Sequence, residues 1–200
     1  MQKQMTSAKK LAYFAVLTAL TVILLFLSGY MHIGPVNINM TLVPLVLCGM
    51  ILGVWYSLGL GAIIGIIILL QGITGFEPFT QALFMANPVI LSIVCILKTT
   101  LAGGAGALVY KCLSKNKYLA TFISAAVVPI VNTGVFILGM LLLKSPLLGF
   151  LQSAGVNTAG HNIVYVILVF VVSWNFFIEL GINVLLAPAI HRVIEIFEKR

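Results

Sequence analysis

The stretch MTLVPLVLCGMILGVWYSLGLGAIIGIIILL, residues 40–70, contains no acidic or basic side chain. It belongs to a longer run, from Leu11 to Phe76, that also lacks Lys, Arg, Asp and Glu. A helix that crosses the hydrocarbon core of a bilayer needs roughly 20 consecutive apolar residues. The uncharged run is therefore long enough for more than one crossing of a membrane.

Composition extends this interpretation to the whole chain of 200 residues. Hydrophobic residues make up 62% and charged residues only 8%, whereas a soluble domain carries roughly 25% charged residues. The sequence therefore predicts an all-α, polytopic membrane protein, with a single transmembrane domain over residues 1–200 and the lipid bilayer around it. The net charge of +7 does not indicate a nucleic-acid partner, because the cations fall at the predicted helix ends.

Six transmembrane helices are predicted from the apolar runs, with the second and third both short and separated around residues 53–59. The segments Gly72–Asn87 and Lys144–Gly160 are predicted to be loops. An alternative keeps residues 40–70 as one overlong helix, which leaves five spans. The six predicted helices cover approximately residues 9–28, 40–53, 57–71, 88–111, 118–143 and 161–191.

The distribution of cations favours six spans over five. With six, nine of the 11 Lys and Arg residues lie on the cytoplasmic side, and Lys144 is the loop cation outside. With five, the cations at 111–117 and at 192–200 would lie outside. Cytoplasmic loops of membrane proteins carry an excess of Lys and Arg. The sequence therefore predicts that both termini are cytoplasmic and that the longer loops face outward.

Polar side chains inside the predicted spans are candidates for a binding site, because they are costly in a bilayer. Asn175, Glu179 and Asn183 recur every four residues on the last predicted helix and form one stripe, with Trp174 beside it. Lys98 lies about 15 Å from the outer end of its helix at 1.5 Å per residue. Lys98 and Glu179 could neutralise each other. Alternatively, Lys98 could bind an anionic solute while asparagines bind its hydroxyl and amide groups.

Further polar residues border the outer loops. Asn87 and Asn162 stand at predicted helix N-termini, where the backbone N–H groups favour anions, although each is also an ordinary capping residue. With the residues inside the spans they make up the candidate substrate-binding set: Asn39, Gln71, Asn87, Lys98, Asn132, Asn162, Trp174, Asn175 and Glu179.

The first predicted helix carries four alanines on one face, Ala8, Ala12, Ala15 and Ala19. Small residues at this spacing let another helix approach closely within a membrane. The face could pack inside the chain's own bundle or dock a partner subunit, and the sequence leaves both open.

Motifs for catalysis are missing from the sequence. It contains no GxxxxGK[ST] phosphate-binding loop, no HExxH and no GxSxG. Cys48, Cys95 and Cys112 lack the spacing of a metal or redox site. We therefore expect no catalytic residue, no metal and no cofactor. If the chain transports a solute, the absence of an ATP-binding motif means that the energy would come from a partner. A membrane-embedded enzyme and a structural or regulatory membrane protein remain as alternatives of other classes.

The pattern resembles the substrate-binding (S) components of energy-coupling factor (ECF) transporters, and the resemblance covers essentially the whole chain. The segment Ala15-Val-Leu-Thr-Ala19 is similar to the AxxxA motif through which S components dock. The resemblance implies a six-helix protein in the plasma membrane of a prokaryote that captures a water-soluble vitamin from outside. It also implies a transmembrane coupling subunit and two ATPase subunits as partners.

Within that family the chain is most similar to the pantothenate-type members. The resemblance implies that Lys98, where arginine is usual, neutralises the carboxylate of pantothenate while Asn132 and Asn175 bind its polar groups. The alternative ligand is riboflavin, which could stack on Trp174, Tyr165 or Phe176, or another small nutrient. The matching positions are Ile33–Thr41 with Pro44, Asn87-Pro88, Val131-Asn132-Thr133, and Asn175, Glu179, Pro188 and Ile190 in an N-x3-E-x8-P-x-I pattern.

Overall fold

A computed structural model of the chain describes residues 5–33 and 36–199. Apart from one pair of antiparallel β-strands of two residues each, the regular elements in these ranges are helical, which confirms the predicted all-α class. Gly34, Pro35 and Arg200, on which parts of the predictions above fall, lie outside the described residues. The elements are α1 (Ser7–Ser28), β1 (His32–Ile33), β2 (Val36–Asn37), α2 (Leu42–Leu52), α3 (Val54–Ile73), α4 (Pro78–Ala86), α5 (Pro88–Cys112), α6 (Lys117–Leu142), α7 (Lys144–Ser153), α8 (Ile163–Val166), a π-helical segment (Ile167–Val172) and α9 (Ser173–Lys199).

Five helical runs in the described part of the chain are long and apolar enough to cross a membrane, as expected for a multi-pass membrane protein. They are α1, α3, α5, α6 and the continuous run Ile163–Ile196. At 1.5 Å per residue the 11 residues of α2 extend about 17 Å, roughly half of a hydrocarbon core of about 30 Å. α2 is apolar, but it is too short to cross alone.

The uncharged run at residues 40–70 is divided at Gly53. Its φ of 91° and ψ of −176° form a backbone conformation that glycine adopts readily because it has no Cβ. α3 starts directly at Val54 and continues for 20 residues. It is therefore full length rather than short as predicted. Trp55 and Ser57, predicted to lie in the break, continue the helix because one glycine is enough to turn the chain.

Two segments predicted to be loops contain short helices. Glu77 caps α4, because its Oε2 accepts the Thr80 N–H at 2.7 Å, and Pro78 occupies the first turn, where its missing N–H leaves no bond unmade. α7 begins at Lys144, directly after α6. The loop prediction is therefore wrong for residues 78–86 and 144–153. α4 packs against α7 through the rings of Phe79 and Phe150, whose centroids lie 5.3 Å apart.

α3 and α5 run antiparallel in close contact, and glycine on α3 permits the approach. A Cβ at Gly61 would stand 2.4 Å from the carbonyl oxygen of Thr99, and one at Gly65 would stand 2.5 Å from that of Cys95. The Thr99 hydroxyl donates a hydrogen bond to the Gly61 carbonyl at 2.6 Å. Small residues and interhelical hydrogen bonds of this kind hold helices together where no hydrophobic force acts between them.

The directions of the remaining long helices follow from their contacts. α1 runs parallel to α3, α6 antiparallel to α5, and α9 antiparallel to α6. As a result α1 begins and α9 ends at one end of the bundle, here named the terminal end. The β-hairpin, α4 and α7 lie at the opposite end, the loop end. The contacts are Phe14–Tyr56 and Phe26–Phe76 between α1 and the two ends of α3, Gly106–Val128 and Gly139–Val94 between α5 and α6, and Thr121–His191 between α6 and α9.

Two clusters of buried apolar side chains form the interior. One surrounds α2, and the other joins α4, α7 and the π-helical segment to α5 and α6. Leu25 belongs to the first cluster, whereas Phe79 and Leu91 belong to the second, and all three line one cavity. The candidate site therefore lies where the two clusters meet.

Candidate functional site

Two adjoining chambers lie inside the loop half of the bundle. The larger measures about 620 Å³ and the smaller about 390 Å³, space open to solvent included. Asn37, Asn39, Lys98 and Phe136 line both, so the chambers meet at these residues. Lys98 follows the start of α5 by ten residues, a distance of about 15 Å along the helix. The meeting point is thus near the middle of α5, while Gln71 and Glu77 line the larger chamber toward the loop end.

Four polar side chains from α6 and α9 line the smaller chamber. Asn132 and Thr133 come from α6, and Asn175 and Glu179 come from α9. Asn132 is only 6% exposed, and its Oδ1 has no hydrogen-bond partner among the described residues. Buried amide oxygens are nearly always hydrogen-bonded. An acceptor left open in a chamber is therefore suited to a hydroxyl or N–H group of a bound solute.

Glu179 anchors the chain that enters α2. Its Oε1 accepts the backbone N–H of Asn39 at 2.8 Å, across 140 positions of sequence. Asn39 in turn accepts the Thr41 N–H through its side-chain oxygen at 3.1 Å, and the Ser28 hydroxyl oxygen accepts the Met40 N–H at 3.2 Å. The segment between the β-hairpin and α2 is thus held inside the bundle by hydrogen bonds from α1 and α9.

Lys98 is a half-buried cation at the boundary of the two chambers. Its Nζ lies 5.0 Å from the centroid of the Phe136 ring, within the range of a cation–π contact. In the described part of the chain no close ion pair joins Lys98 to Glu179, although Lys98 is near enough to act electrostatically on the Glu179 carboxyl group. The ammonium group therefore remains available to an anionic group in either chamber.

The larger chamber combines an apolar wall with two polar side chains. Gln71 is 8% exposed, and its Nε2 has no hydrogen-bond partner within the described ranges. Glu77 is similarly buried and uses its Oε2 to cap α4. The chamber therefore offers a buried amide N–H and a buried carboxyl group in addition to Lys98.

Six members of the predicted set line these chambers, and three lie elsewhere. Asn87 and Asn162 cap α5 and α8, accepting the N–H groups of Ile90 at 3.1 Å and Val164 at 2.9 Å. Trp174 is 67% exposed, because successive helical residues point about 100° apart and its neighbour Asn175 faces the chamber. The six residues brought together are Asn39, Gln71, Lys98, Asn132, Asn175 and Glu179.

Two lining residues escaped the sequence reasoning although a simple signal pointed to them. Phe136 follows Asn132 by four positions, and Cys95 precedes Lys98 by three. Helical residues at these spacings share a face, so the polar residues already marked their positions. Val171 and Val172, which belong to the π-helical segment, also line the smaller chamber. π-Helical turns are frequent at functional sites.

The four alanines of α1 are exposed. α1 packs on the rest of the bundle through Leu17, Thr21, Leu25 and Ser28, which lie on a different face. The exposure of the alanines does not support the alternative in which they pack inside the chain's own bundle. Their face remains open to lipid or to another protein.

Comparison with known proteins gives no further assignment: no protein-family model matches the chain, and no curated protein matches it. Among the described residues, no group of three or more His, Cys, Asp or Glu side chains could hold a metal ion. What the site binds must therefore be inferred from its own residues.

Proposed function

We propose that the chain is the substrate-capture subunit of an ECF-type transporter, and that it binds pantothenate from outside for ATP-driven uptake by partner subunits. One observation carries the proposal. A half-buried lysine, which forms no close ion pair among the described residues, stands where two chambers meet inside a largely apolar bundle.

The chemistry of pantothenate matches the smaller chamber. The molecule offers one carboxylate, two hydroxyl groups, one amide and a dimethyl carbon. Lys98 neutralises the carboxylate, and the open Oδ1 of Asn132 accepts a hydroxyl hydrogen. Phe136 and Phe176 cover the dimethyl carbon. Hydrogen bonds to charged groups contribute about 1.5–3 kcal/mol, so Lys98 supplies a large part of the binding free energy.

Access from outside follows from the charge distribution. The cations of α1, of the α5–α6 connection and of the last turns of α9 lie at the terminal end, and Lys144 lies at the loop end. Under the positive-inside rule the terminal end is cytoplasmic. The site then opens toward the outside, and α2 with the extended segment before it completes the sixth span.

Uptake needs partners, because the chain has no ATP-binding motif. The exposed alanine face of α1 supplies a surface on which a transmembrane coupling subunit can approach closely. Two ATPase subunits would then drive the release of the vitamin to the cytoplasm through that coupling subunit.

Isothermal titration calorimetry on the detergent-purified chain tests the proposal, with pantothenate and riboflavin as parallel ligands. We expect one-to-one binding of pantothenate. The double substitution Lys98→Met with Asn132→Ala should weaken binding at least about 10–100-fold. Lys144→Met, which removes an exposed lysine at the loop end, is the matched control and should leave the affinity unchanged.

Other outcomes point to specific alternatives. An unchanged affinity in the double variant would remove Lys98 and Asn132 from the site. Binding of riboflavin alone would keep the transport role and replace the ligand. Of the aromatic residues expected to stack a flavin, Trp174 and Tyr165 are 67% and 46% exposed, whereas Phe176 lines the smaller chamber. No binding to any member of a vitamin panel would favour a structural or regulatory membrane protein.

A further inference from the structure

The larger chamber is not used when pantothenate occupies the smaller one. Lys98 and Phe136 line both chambers and stand between them. A ligand whose carboxylate meets Lys98 and whose hydroxyl groups meet Asn132 ends at this boundary. On the far side lies the rest of the larger chamber, which is lined by side chains of α1, α3, α4 and α5 and could receive a further part of a ligand.

The wall of the larger chamber has two parts. Apolar side chains from four helices form most of it, with Leu91 and Val94 lying one to two turns before Lys98 on α5. Gln71 and Glu77 form the polar part, and the buried Gln71 Nε2 has no partner among the described residues. The apolar side chains are Leu25, Ile68, Phe79, Leu91 and Val94.

We propose that this site also takes pantothenate derivatives extended through an amide at the carboxyl end, with the added arm lying in the larger chamber. The inference rests on the proposed function and defines its substrate class. The amide carbonyl accepts a hydrogen bond from Lys98 Nζ, and an apolar arm lies along Leu91 and Val94. The arm ends in a neutral or cationic group, because the carboxylate of Glu77 repels an anion there.

We expect the larger chamber to select the added arm by its charge as well as by its shape. Glu77 is buried, and a buried carboxylate disfavours a second negative charge nearby. Glu77→Gln removes the charge and keeps a side-chain oxygen that can accept the Thr80 N–H, so the cap of α4 survives the substitution. This variant therefore tests the effect of the Glu77 charge while leaving the local fold unchanged.

Calorimetry with three ligands tests the inference: pantothenate, its N-butyl amide, and its N-(3-carboxypropyl) amide, which carries a carboxylate at the end of the arm. The unsubstituted chain should bind the butyl amide measurably but more weakly than pantothenate, because the bond from Lys98 then goes to a neutral carbonyl, and it should bind the carboxylate-ended amide at least about tenfold more weakly than the butyl amide. Glu77→Gln should reduce that second difference to about threefold or less.

Filling the larger chamber tests its position. Leu91→Trp should weaken the butyl amide at least about tenfold and leave pantothenate within about threefold. Leu97→Trp is the matched control, since Leu97 lies on the same helix and is 43% exposed, and it should change neither affinity.

Two results would overturn the inference and leave the proposed function intact. The first is binding of pantothenate without binding of the butyl amide. The second is equal binding of both amides in the unsubstituted chain and in Glu77→Gln. Failure of all three ligands to bind would instead refute the proposed function, and this inference with it.

Discussion

At the scale of one residue, the buried carboxyl group of Glu179 serves two purposes. Its carboxylate lines the smaller chamber, and the same group accepts the N–H of Asn39. Because that N–H belongs to the segment before α2, the shape of the chamber depends on the bond. A ligand-lining residue and a fold-stabilising residue are here the same side chain.

Removing this acceptor should destabilise the protein. Glu179→Ala leaves the Asn39 N–H without its partner, and we expect the free energy of unfolding to fall by about 1–3 kcal/mol. Glu179→Gln keeps an oxygen acceptor and should lose less. Thermal unfolding in detergent measures both, with Glu195→Ala at the terminal end as a control. An alanine variant as stable as the parent would show that the bond does not hold the segment.

The residues found from sequence were those that stand out chemically in an apolar run. Lys98, Asn132 and Glu179 are polar where a bilayer disfavours polarity, so their type alone marked them. The residue type of Phe136 gives no such mark, because an apolar side chain in a membrane helix fits packing, lipid and ligand equally well, and only its spacing of four from Asn132 pointed to the chamber. Asn87 was placed wrongly because an asparagine before a helix serves equally as a cap.

At the scale of elements, hydropathy recovered the long helices and missed the short ones. α4 and α7 have nine and ten residues, too few for an apolar window to detect. The capping pair Glu77-Pro78 was present in the sequence, but it was interpreted only as part of a loop. Gly53 was recognised as a break, although its positive φ, which reduces the break to one residue, is a feature of the folded backbone.

The contact between α3 and α5 should not tolerate a methyl group. Gly61→Ala would place a Cβ 2.4 Å from the Thr99 carbonyl oxygen, so the helices must separate, and overpacking of this kind costs about 1–3 kcal/mol. Gly134→Ala, in the middle of α6 with nothing within 4 Å of its Cβ position, is the control. It should be neutral or slightly stabilising. Unfolding temperatures in detergent compare the two, and equal temperatures would contradict the packing argument.

At the scale of the whole molecule, the helix directions and the positions of the cations together predict the membrane topology. We expect Ser7 and Cys112, both at the terminal end, to be on the same side of the membrane, and Ser153 to be on the other. In a background carrying Cys112→Ser, Ser153→Cys should react with an impermeant thiol reagent in intact cells. Ser7→Cys, and Cys112 in the parent chain, should react only after the membrane is opened. Labelling of Ser7→Cys and Cys112 from opposite sides would support five spans.

The alanine face should matter for uptake and not for capture. Ala15→Leu enlarges an exposed position on α1, so we expect vitamin binding to the purified chain to persist while uptake in cells that contain the partner subunits is lost. Val16→Leu, at the next position and 65% exposed, is the control and should preserve both. Loss of binding together with uptake in Ala15→Leu would mean that the face acts within this chain.

The length of α2 has a consequence for how the protein is made. An 11-residue helix is too short to be taken up by the insertion machinery as a span of its own. The single residue Gly53 ties it to α3, which is long enough. We therefore expect α2 to enter the bilayer only after α3 has been synthesised, with the two helices inserting together as one hairpin.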